Sequence, residues 1–224
     1  MNKKIISAVL IAITVMSIFC ACKNDKDETT TVQPIPSKIS DEDSYTIGNE
    51  FENVNEQESV ASATKSVATA DEFNRLLNDP ERTAVGYYGS QDIEISDTDY
   101  IEKTLSIKTM GTITVNSPVF SIVTEAAKSI EINAKTDMLI VNAKDTAVNV
   151  HADTGSIVIK GTNITVNVYG GNAEKILINN STAVVVNNTD YEITVTLTNG
   201  TKITVPSYYT YTTKTDELKQ NAVA

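Results

Sequence analysis

The chain has little of what most catalytic and nucleic-acid-binding proteins use: no tryptophan, one histidine, two cysteines and two arginines among 224 residues. The lone histidine, His151, has no Cys, Asp or Ser at motif spacing, so no nucleophile system is indicated. Lysine and arginine total 18 against 29 acidic residues, a formal charge of −11, which disfavours nucleic acid as a partner. We predict neither a cofactor nor a metal site.

One long apolar run is present, at the N-terminus, and it predicts a secretory leader over residues 1–21. Lys3 and Lys4 form its positive start, and residues 5–19 are mostly apolar. A membrane-spanning helix would need about 20 residues, so export is favoured over a transmembrane segment.

The leader ends in Phe19-Cys20-Ala21-Cys22, which resembles the lipobox of bacterial lipoproteins. The resemblance implies that Cys22 is diacylated and that the chain is anchored by lipid on the extracytoplasmic side of a bacterial membrane, at the cell surface or in the periplasm. The alternative is a plain cleaved leader with an incidental cysteine. Cleavage before Cys22 would leave one alkylated cysteine, so no disulfide is expected.

Residues 22–68 are rich in Thr, Ser, Asp, Glu, Asn and Gln and contain Pro34 and Pro36. Such a composition buries little apolar surface and predicts a flexible acidic tether. The acid runs 25–28 and 41–43 lack the fixed turn residues of a calcium loop, so we interpret them as solvated linker.

A folded region is predicted over residues 69–206. Thr69 precedes an amphipathic pattern that predicts a short helix over 71–78. From Leu105 onward, ten short units follow at spacings of 8 to 10 residues, each with two alternating inward positions. Nineteen of these twenty positions are Ile, Val or Leu, and Thr124 is the exception. This regularity predicts an all-β fold, a single-stranded parallel β-helix (β-solenoid); a β-sandwich is the alternative.

The middle, outward residue of each unit alternates in character. One set reads Ser106, Val123, Ile140, Val158 and Leu177, and the other reads Thr114, Glu131, Asn149, Asn167 and Val185. This alternation predicts two strands per coil, with one sheet apolar on both faces and the other solvated outside. Three strands per coil remains open.

The stretch 68–96, a helix followed by Tyr87, Tyr88 and Asp92-Ile93-Glu94-Ile95, resembles the N-terminal cap of right-handed parallel β-helix proteins of the pectin-lyase-like kind. With the repeats, the resemblance covers about residues 69–205. At the other end, Asn199-Gly200 between alternating segments predicts an antiparallel hairpin that closes the solenoid. A tyrosine-rich tail, 207–224, follows.

Two outward columns are candidate sites. A polar column could bind a glycan by hydrogen bonding and stacking, or be an asparagine ladder that satisfies its own turns; its residues are Asn116, Asn133, His151, Tyr169 and Asn187. An apolar ridge of Val123, Ile140, Val158 and Leu177 should be covered, either by the chain itself, near Tyr45–Val54 or the tyrosine tail, or by a second molecule.

Asp137, Asp145 and Asp153 fall in successive turns and are interpreted as turn residues rather than as cation ligands. The function favoured by the sequence is a cell-envelope lipoprotein with a non-catalytic module for adhesion, surface display, or binding of a glycan or surface protein. The alternative, implied by the fold resemblance, is a polysaccharide lyase or glycoside hydrolase.

Overall fold

The computed structural model describes the backbone of residues 47–96, 99–179 and 182–222, and the side chains of these ranges from residue 53 onward. The predicted leader 1–21, Cys22 and the first part of the predicted tether lie outside the described residues. Along the chain the elements are α1 (Ile47–Ala63), β1 (Ser66–Val67), α2 (Ala70–Leu77), β2 (Ala84–Tyr88), β3 (Ile93–Ile95), β4 (Ile101–Lys108), β5 (Thr112–Val115), β6 (Val119–Ala126), β7 (Ser129–Ile132), β8 (Thr136–Val141), β9 (Ala147–Val150), β10 (Thr154–Ile159), β11 (Ile164–Val168), β12 (Ala173–Ile178), β13 (Ala183–Asn187), β14 (Ile193–Leu197), β15 (Lys202–Val205), β16 (Tyr209–Thr212) and β17 (Glu217–Gln220).

The strands build two sheets that the chain visits alternately. Sheet A has the order β1-β2-β4-β6-β8-β10-β12-β14-β15, and sheet B has the order β17-β16-β13-β11-β9-β7-β5-β3. Successive coils pair in parallel, as β8 with β10 and β10 with β12. The result is a β-solenoid of about 7 turns with two strands per coil. The predicted parallel β-solenoid is confirmed, and the β-sandwich alternative is wrong because the strands of successive coils pair in parallel, with antiparallel pairing confined to the pairs that involve β15, β16 and β17.

The interior is a narrow aliphatic column, because equivalent inward residues stack directly on each other. Leu139 pairs in register with Ile157, which pairs with Ile176, and all three are fully buried. Thr124 is also fully buried inside this column, and its hydroxyl has no hydrogen-bond partner. A hydroxyl left unpaired in an apolar core is destabilising, so Thr124 is a weak point of the interior.

The last repeat lies one residue out of the expected register. In β13, Val185 pairs with the inward Val166 and Asn187 with the inward Val168. Val185 and Asn187 are therefore buried, and Val184 faces outward, the reverse of the prediction. Three consecutive valines fit either alternation, and a one-residue slip moves every side chain to the other face, so the local pattern could not decide between them.

Both ends of the solenoid are closed. At the N-terminal end, the Thr69 side chain accepts a hydrogen bond from the Glu72 amide and caps α2, which buries Phe73 against the core. At the C-terminal end, β14 and β15 form the predicted antiparallel hairpin. The predicted tail adds a second closure, because β16 pairs antiparallel with β13 and then with β17.

The second half of the predicted flexible tether differs from the prediction, since it contains α1. This helix packs Val54 and Ala61 on the outer face of sheet A. The sequence of α1 is mostly polar and has no clear amphipathic pattern, so its helical state depends on tertiary contacts that the local sequence does not reveal. Within the described residues, no helix is both long and apolar enough to cross a bilayer.

Candidate functional site

The outer face of sheet B is the candidate site. Because its strands stack in register, equivalent outward residues of successive coils lie about 4.8 Å apart along the solenoid axis. One column follows the strand ends and another runs along the strand centres. The strand-end column contains Asn116, Asn133, His151, Tyr169 and Asn188, and the central column contains Glu94, Thr114, Glu131, Asn149, Asn167 and Val186.

A first chain of side-chain hydrogen bonds runs along the N-terminal part of this face. Asn133 Nδ2 donates to Asn116 Oδ1 at 2.9 Å, and Asn116 Nδ2 donates to Glu94 Oε1 at 2.9 Å. Both asparagines are exposed. Each primary amide uses only one of its two N–H groups in the ladder, so the ladder orients the amides and leaves hydrogen-bonding capacity toward solvent.

A second ladder begins on the coil where the first one ends, at Glu131 of β7. Asn167 Nδ2 donates to Asn149 Oδ1 at 2.9 Å, and Asn149 Nδ2 donates to Glu131 Oε1 at 2.7 Å. The two ladders have the same construction, a carboxylate that accepts from the first of two stacked amides. Sequence reasoning placed these residues on the outer face but did not identify Glu94 and Glu131 as the acceptors that start the ladders. Each glutamate lies one coil before the asparagine that donates to it, and this spacing in the sequence was the signal that could have identified the acceptors.

The aromatic part of the face is formed by His151 and Tyr169. Their rings are stacked, with centroids 5.1 Å apart and planes 10° from parallel. His151 Nε2 lies 3.9 Å from Glu131 Oε2, and Tyr169 is 50% exposed. The second ladder therefore lies next to the exposed aromatic surface that the two stacked rings form. The predicted column is brought together at these positions: Asn116, Asn133, His151 and Tyr169 follow one another on successive coils.

Asn187, the fifth predicted member, does not belong to the column. It faces the interior and is fully buried, because of the register of β13. Its Nδ2 donates to the carbonyl oxygens of Tyr191, Val205 and Pro206, and its Oδ1 accepts from Thr189. It is a structural residue that ties the last coil to the closing hairpin. Asn188 takes the column position, with its backbone N–H donating to Val168 O at 2.8 Å.

The predicted apolar ridge is present on sheet A but is not an open surface. Val123, Ile140, Val158 and Leu177 are at most 4% exposed and form one cluster with Val54 and Ala61 of α1. Of the two candidates considered from the sequence, the chain itself covers the ridge, through a segment that includes Val54. The ridge is therefore the surface on which α1 packs.

Polar contacts set the position of α1 on the ridge. Glu58 Oε1 accepts from Asn142 Nδ2 at 3.0 Å, and Glu58 Oε2 lies 2.5 Å from Lys160 Nζ. The Thr104 hydroxyl donates to Gln57 Oε1. Since Asn142 and Lys160 follow adjacent strands of sheet A, one carboxylate connects the helix to two coils.

Asp145 and Asp153 lie in loops between strands, whereas Asp137, predicted as a turn residue, lies in β8; all three accept hydrogen bonds from residues of other coils. Asp137 accepts from the Tyr100 hydroxyl at 2.5 Å, Asp145 from Asn163 Nδ2 at 2.8 Å, and Asp153 from the Asn172 amide at 2.8 Å. Partial burial and the donated bond to Asp137 raise the pKa of Tyr100 well above its ordinary value. Among the described residues, no group of three or more His, Cys, Asp or Glu could hold a metal ion.

Small cavities occur beside the helices. One of about 190 Å³ lies at the end of α1 and is lined in part by Tyr88, Lys108 and Glu125, where the Lys108 ammonium lies 4.9 Å from the centre of the Tyr88 ring. Another, of about 210 Å³, lies between α2 and β3. The second cavity is lined in part by Glu94, which accepts the hydrogen bond of Asn116 at the start of the first ladder.

These features define the protein as a capped two-sheet β-solenoid, with one outer face covered by a helix and the other bearing an ordered polar and aromatic array. Comparison with protein-family models, with curated proteins and with solved structures gives no match to this chain.

Proposed function

We propose that this protein is an exported, lipid-anchored cell-envelope protein whose β-solenoid is a non-catalytic binding module for adhesion or surface display. The observation that carries the proposal is the exposed strand-end column of sheet B, in which Asn116, Asn133, His151 and Tyr169 stand on successive coils. Exposed surface amides and rings held by a rigid sheet are the elements of a recognition surface.

The chemistry of the column favours a glycan. Sugars offer many hydroxyl groups, which pair with amides that both donate and accept, and their apolar C–H faces pack on aromatic rings. In this face, the hydrogen bonds to Glu94 and Glu131 hold the amides in place before any ligand binds. Pre-organisation of this kind lowers the entropic cost of binding.

Membrane attachment is proposed from the lipobox-like Phe19-Cys20-Ala21-Cys22. Each buried methylene of an acyl chain contributes about 0.8 kcal/mol, and two chains give stable anchoring where one is marginal. The closer relationship to pectin-lyase-like proteins stays a prediction. Metabolic labelling with a radioactive fatty acid should mark the wild-type protein and not Cys22→Ser, and equal labelling of both would contradict the anchor.

The binding proposal is tested with a glycan array probed by the full-length protein in detergent. His151→Ala and Tyr169→Ala should each abolish or strongly weaken the signal of any glycan that binds. Tyr88→Ala is the matched control, because Tyr88 is 60% exposed but lies on sheet A. Binding that survives both sheet B variants would reject this face as the site.

The non-catalytic part of the proposal has its own test. Purified protein is incubated with uronate polymers and calcium, and the absorbance of unsaturated products is followed. A flat trace is expected. Rising absorbance that is lost on heat denaturation would overturn the proposal in favour of a lyase.

A further inference from the structure

The central column of the sheet B face contains acidic residues and no basic ones, and this negative charge affects which ligands the face can bind. Glu94 and Glu131 are the charged residues of the central column, and neither forms an ion pair with a lysine or arginine among the described residues. The nearby lysines, Lys128 and Lys144, lie in the turns before β7 and β9, and Lys144 faces Asp145 at 3.9 Å.

Both carboxylates keep accepting capacity toward solvent. Glu94 Oε1 accepts from Asn116, whereas Glu94 Oε2 has no partner among the described residues. Glu131 Oε1 accepts from Asn149, and Glu131 Oε2 lies 3.9 Å from His151 Nε2, which is beyond hydrogen-bond distance. A ligand with cationic N–H groups would donate charge-assisted hydrogen bonds to these carboxylate oxygens.

We infer that the face selects a glycan with free amino groups that lies along the solenoid axis. This inference rests on the proposed function of the same face. Glu94 and Glu131 are two coils apart, about 9.6 Å along the axis, which is of the order of one disaccharide repeat. An extended amino-sugar chain therefore presents ammonium groups to both carboxylates in one pose, and continues toward the ring stack of His151 and Tyr169.

The same geometry opposes acidic polysaccharides. A uronate chain in this pose would bring its carboxylates against Glu94 and Glu131, on a protein whose formal charge is already −11. Like charges at close range are destabilising and also slow the encounter. The face thus discriminates by charge as well as by shape.

The test compares three oligosaccharides of equal length with the full-length protein in detergent: β-1,4-linked glucosamine, its fully N-acetylated form, and galacturonate. Binding is measured in mildly acidic buffer at low and high salt. The glucosamine oligomer should bind about tenfold more tightly than the N-acetylated form, as two exposed ion pairs allow. Its affinity should fall with salt.

Charge-removing variants locate the effect. Glu94→Gln and Glu131→Gln keep an oxygen that accepts from the ladder asparagine, and each should weaken glucosamine binding about threefold. Glu174→Gln removes the same charge from an exposed position on sheet A and should have no effect. Circular dichroism melting confirms that each variant is folded.

The outcomes separate the two proposals. Equal affinity for the glucosamine and N-acetylated oligomers, or tighter binding of galacturonate, overturns the charge selection but leaves glycan binding intact. Binding of glucosamine that is unchanged in Glu94→Gln and Glu131→Gln overturns it as well. Binding that is indifferent to His151→Ala and Tyr169→Ala rejects the face itself, and the proposed function with it.

Discussion

The two sheets share one interior and differ on their outer faces. On sheet A the outward residues Val123, Ile140, Val158 and Leu177 are aliphatic, and they form a buried cluster with α1. On sheet B the corresponding positions carry Asn, Glu and Thr up to Val186 in the last repeat, and they remain in contact with solvent. The inward residues are aliphatic on both sheets, so the fold depends on them, and the outward residues decide whether a face is covered by the chain or exposed.

The two faces also differ in what their polar side chains contact. On sheet A, the polar contacts of Glu58 with Asn142 and Lys160 join two parts of the chain. On sheet B, the ladders join residues of the same face and leave their outer edge open. The first arrangement holds the structure together, whereas the second presents an ordered surface.

The largest difference in stability is expected between a charge placed beneath α1 on sheet A and a charge placed on the outer face of sheet B. Val158→Asp should lower the free energy of unfolding by about 3–5 kcal/mol, because Val158 is fully buried beneath α1 and the carboxylate would have no partner. Thr165→Asp, on the half-buried outer face of sheet B, should cost less than about 1 kcal/mol. Urea denaturation measures both, and similar losses would contradict the contrast.

The second contrast lies between two asparagines. Asn187→Ala should destabilise the protein by about 2–4 kcal/mol, because it removes the buried hydrogen bonds to the Tyr191, Val205 and Pro206 carbonyl oxygens and the acceptor of Thr189. Asn116→Ala, in the exposed ladder, should cost under about 1 kcal/mol. Equal and small losses would show that Asn187 does not hold the closing hairpin.

A third experiment tests how α1 is held. Glu58→Ala removes the bridge to Asn142 and Lys160, and should lower stability by about 1 kcal/mol, since the pair is partly exposed. Amide hydrogen exchange should rise across α1 while the strands of sheet B stay protected. Glu56→Ala, an exposed change on the same helix, is the control, and matching exchange in both variants would contradict the bridge.

The smallest effect concerns the shared interior. Thr124→Val keeps the shape and removes a buried hydroxyl without a partner, so it should raise stability by about 1 kcal/mol. Thr114→Val, an outward change on sheet B, should change stability by less than about 0.5 kcal/mol. Thermal melting compares them, and a loss of stability in Thr124→Val would indicate that the hydroxyl is satisfied.

Most of the fold could be predicted because the inward positions repeat. The alternation of aliphatic residues indicated the coils, and the alternating character of the outward set indicated two sheets. The strand-end column followed from the same spacing for Asn116, Asn133, His151 and Tyr169. The prediction was wrong at Asn187, because the run Ala183-Val184-Val185-Val186 is compatible with both registers. Only the pairing of β13 with β11 selects one of them.

Other features could not be predicted from local pattern. The helix α1 is mostly polar and lies in a stretch whose composition is typical of linkers, and its sequence has no clear amphipathic pattern that would predict a buried face. The ladder acceptors Glu94 and Glu131 are one or more coils away from their asparagine partners. Their roles depend on the register between coils.

The sequence by itself determined the repeat, the alternation of inward and outward residues and the presence of an apolar ridge that had to be covered, because side-chain direction in a strand follows a period of two. The tertiary structure alone decided which segment covers the ridge, which register the last coil adopts and which carboxylates order the asparagines. These depend on contacts between residues distant in sequence, where many pairings satisfy the local pattern and only the packed arrangement selects among them.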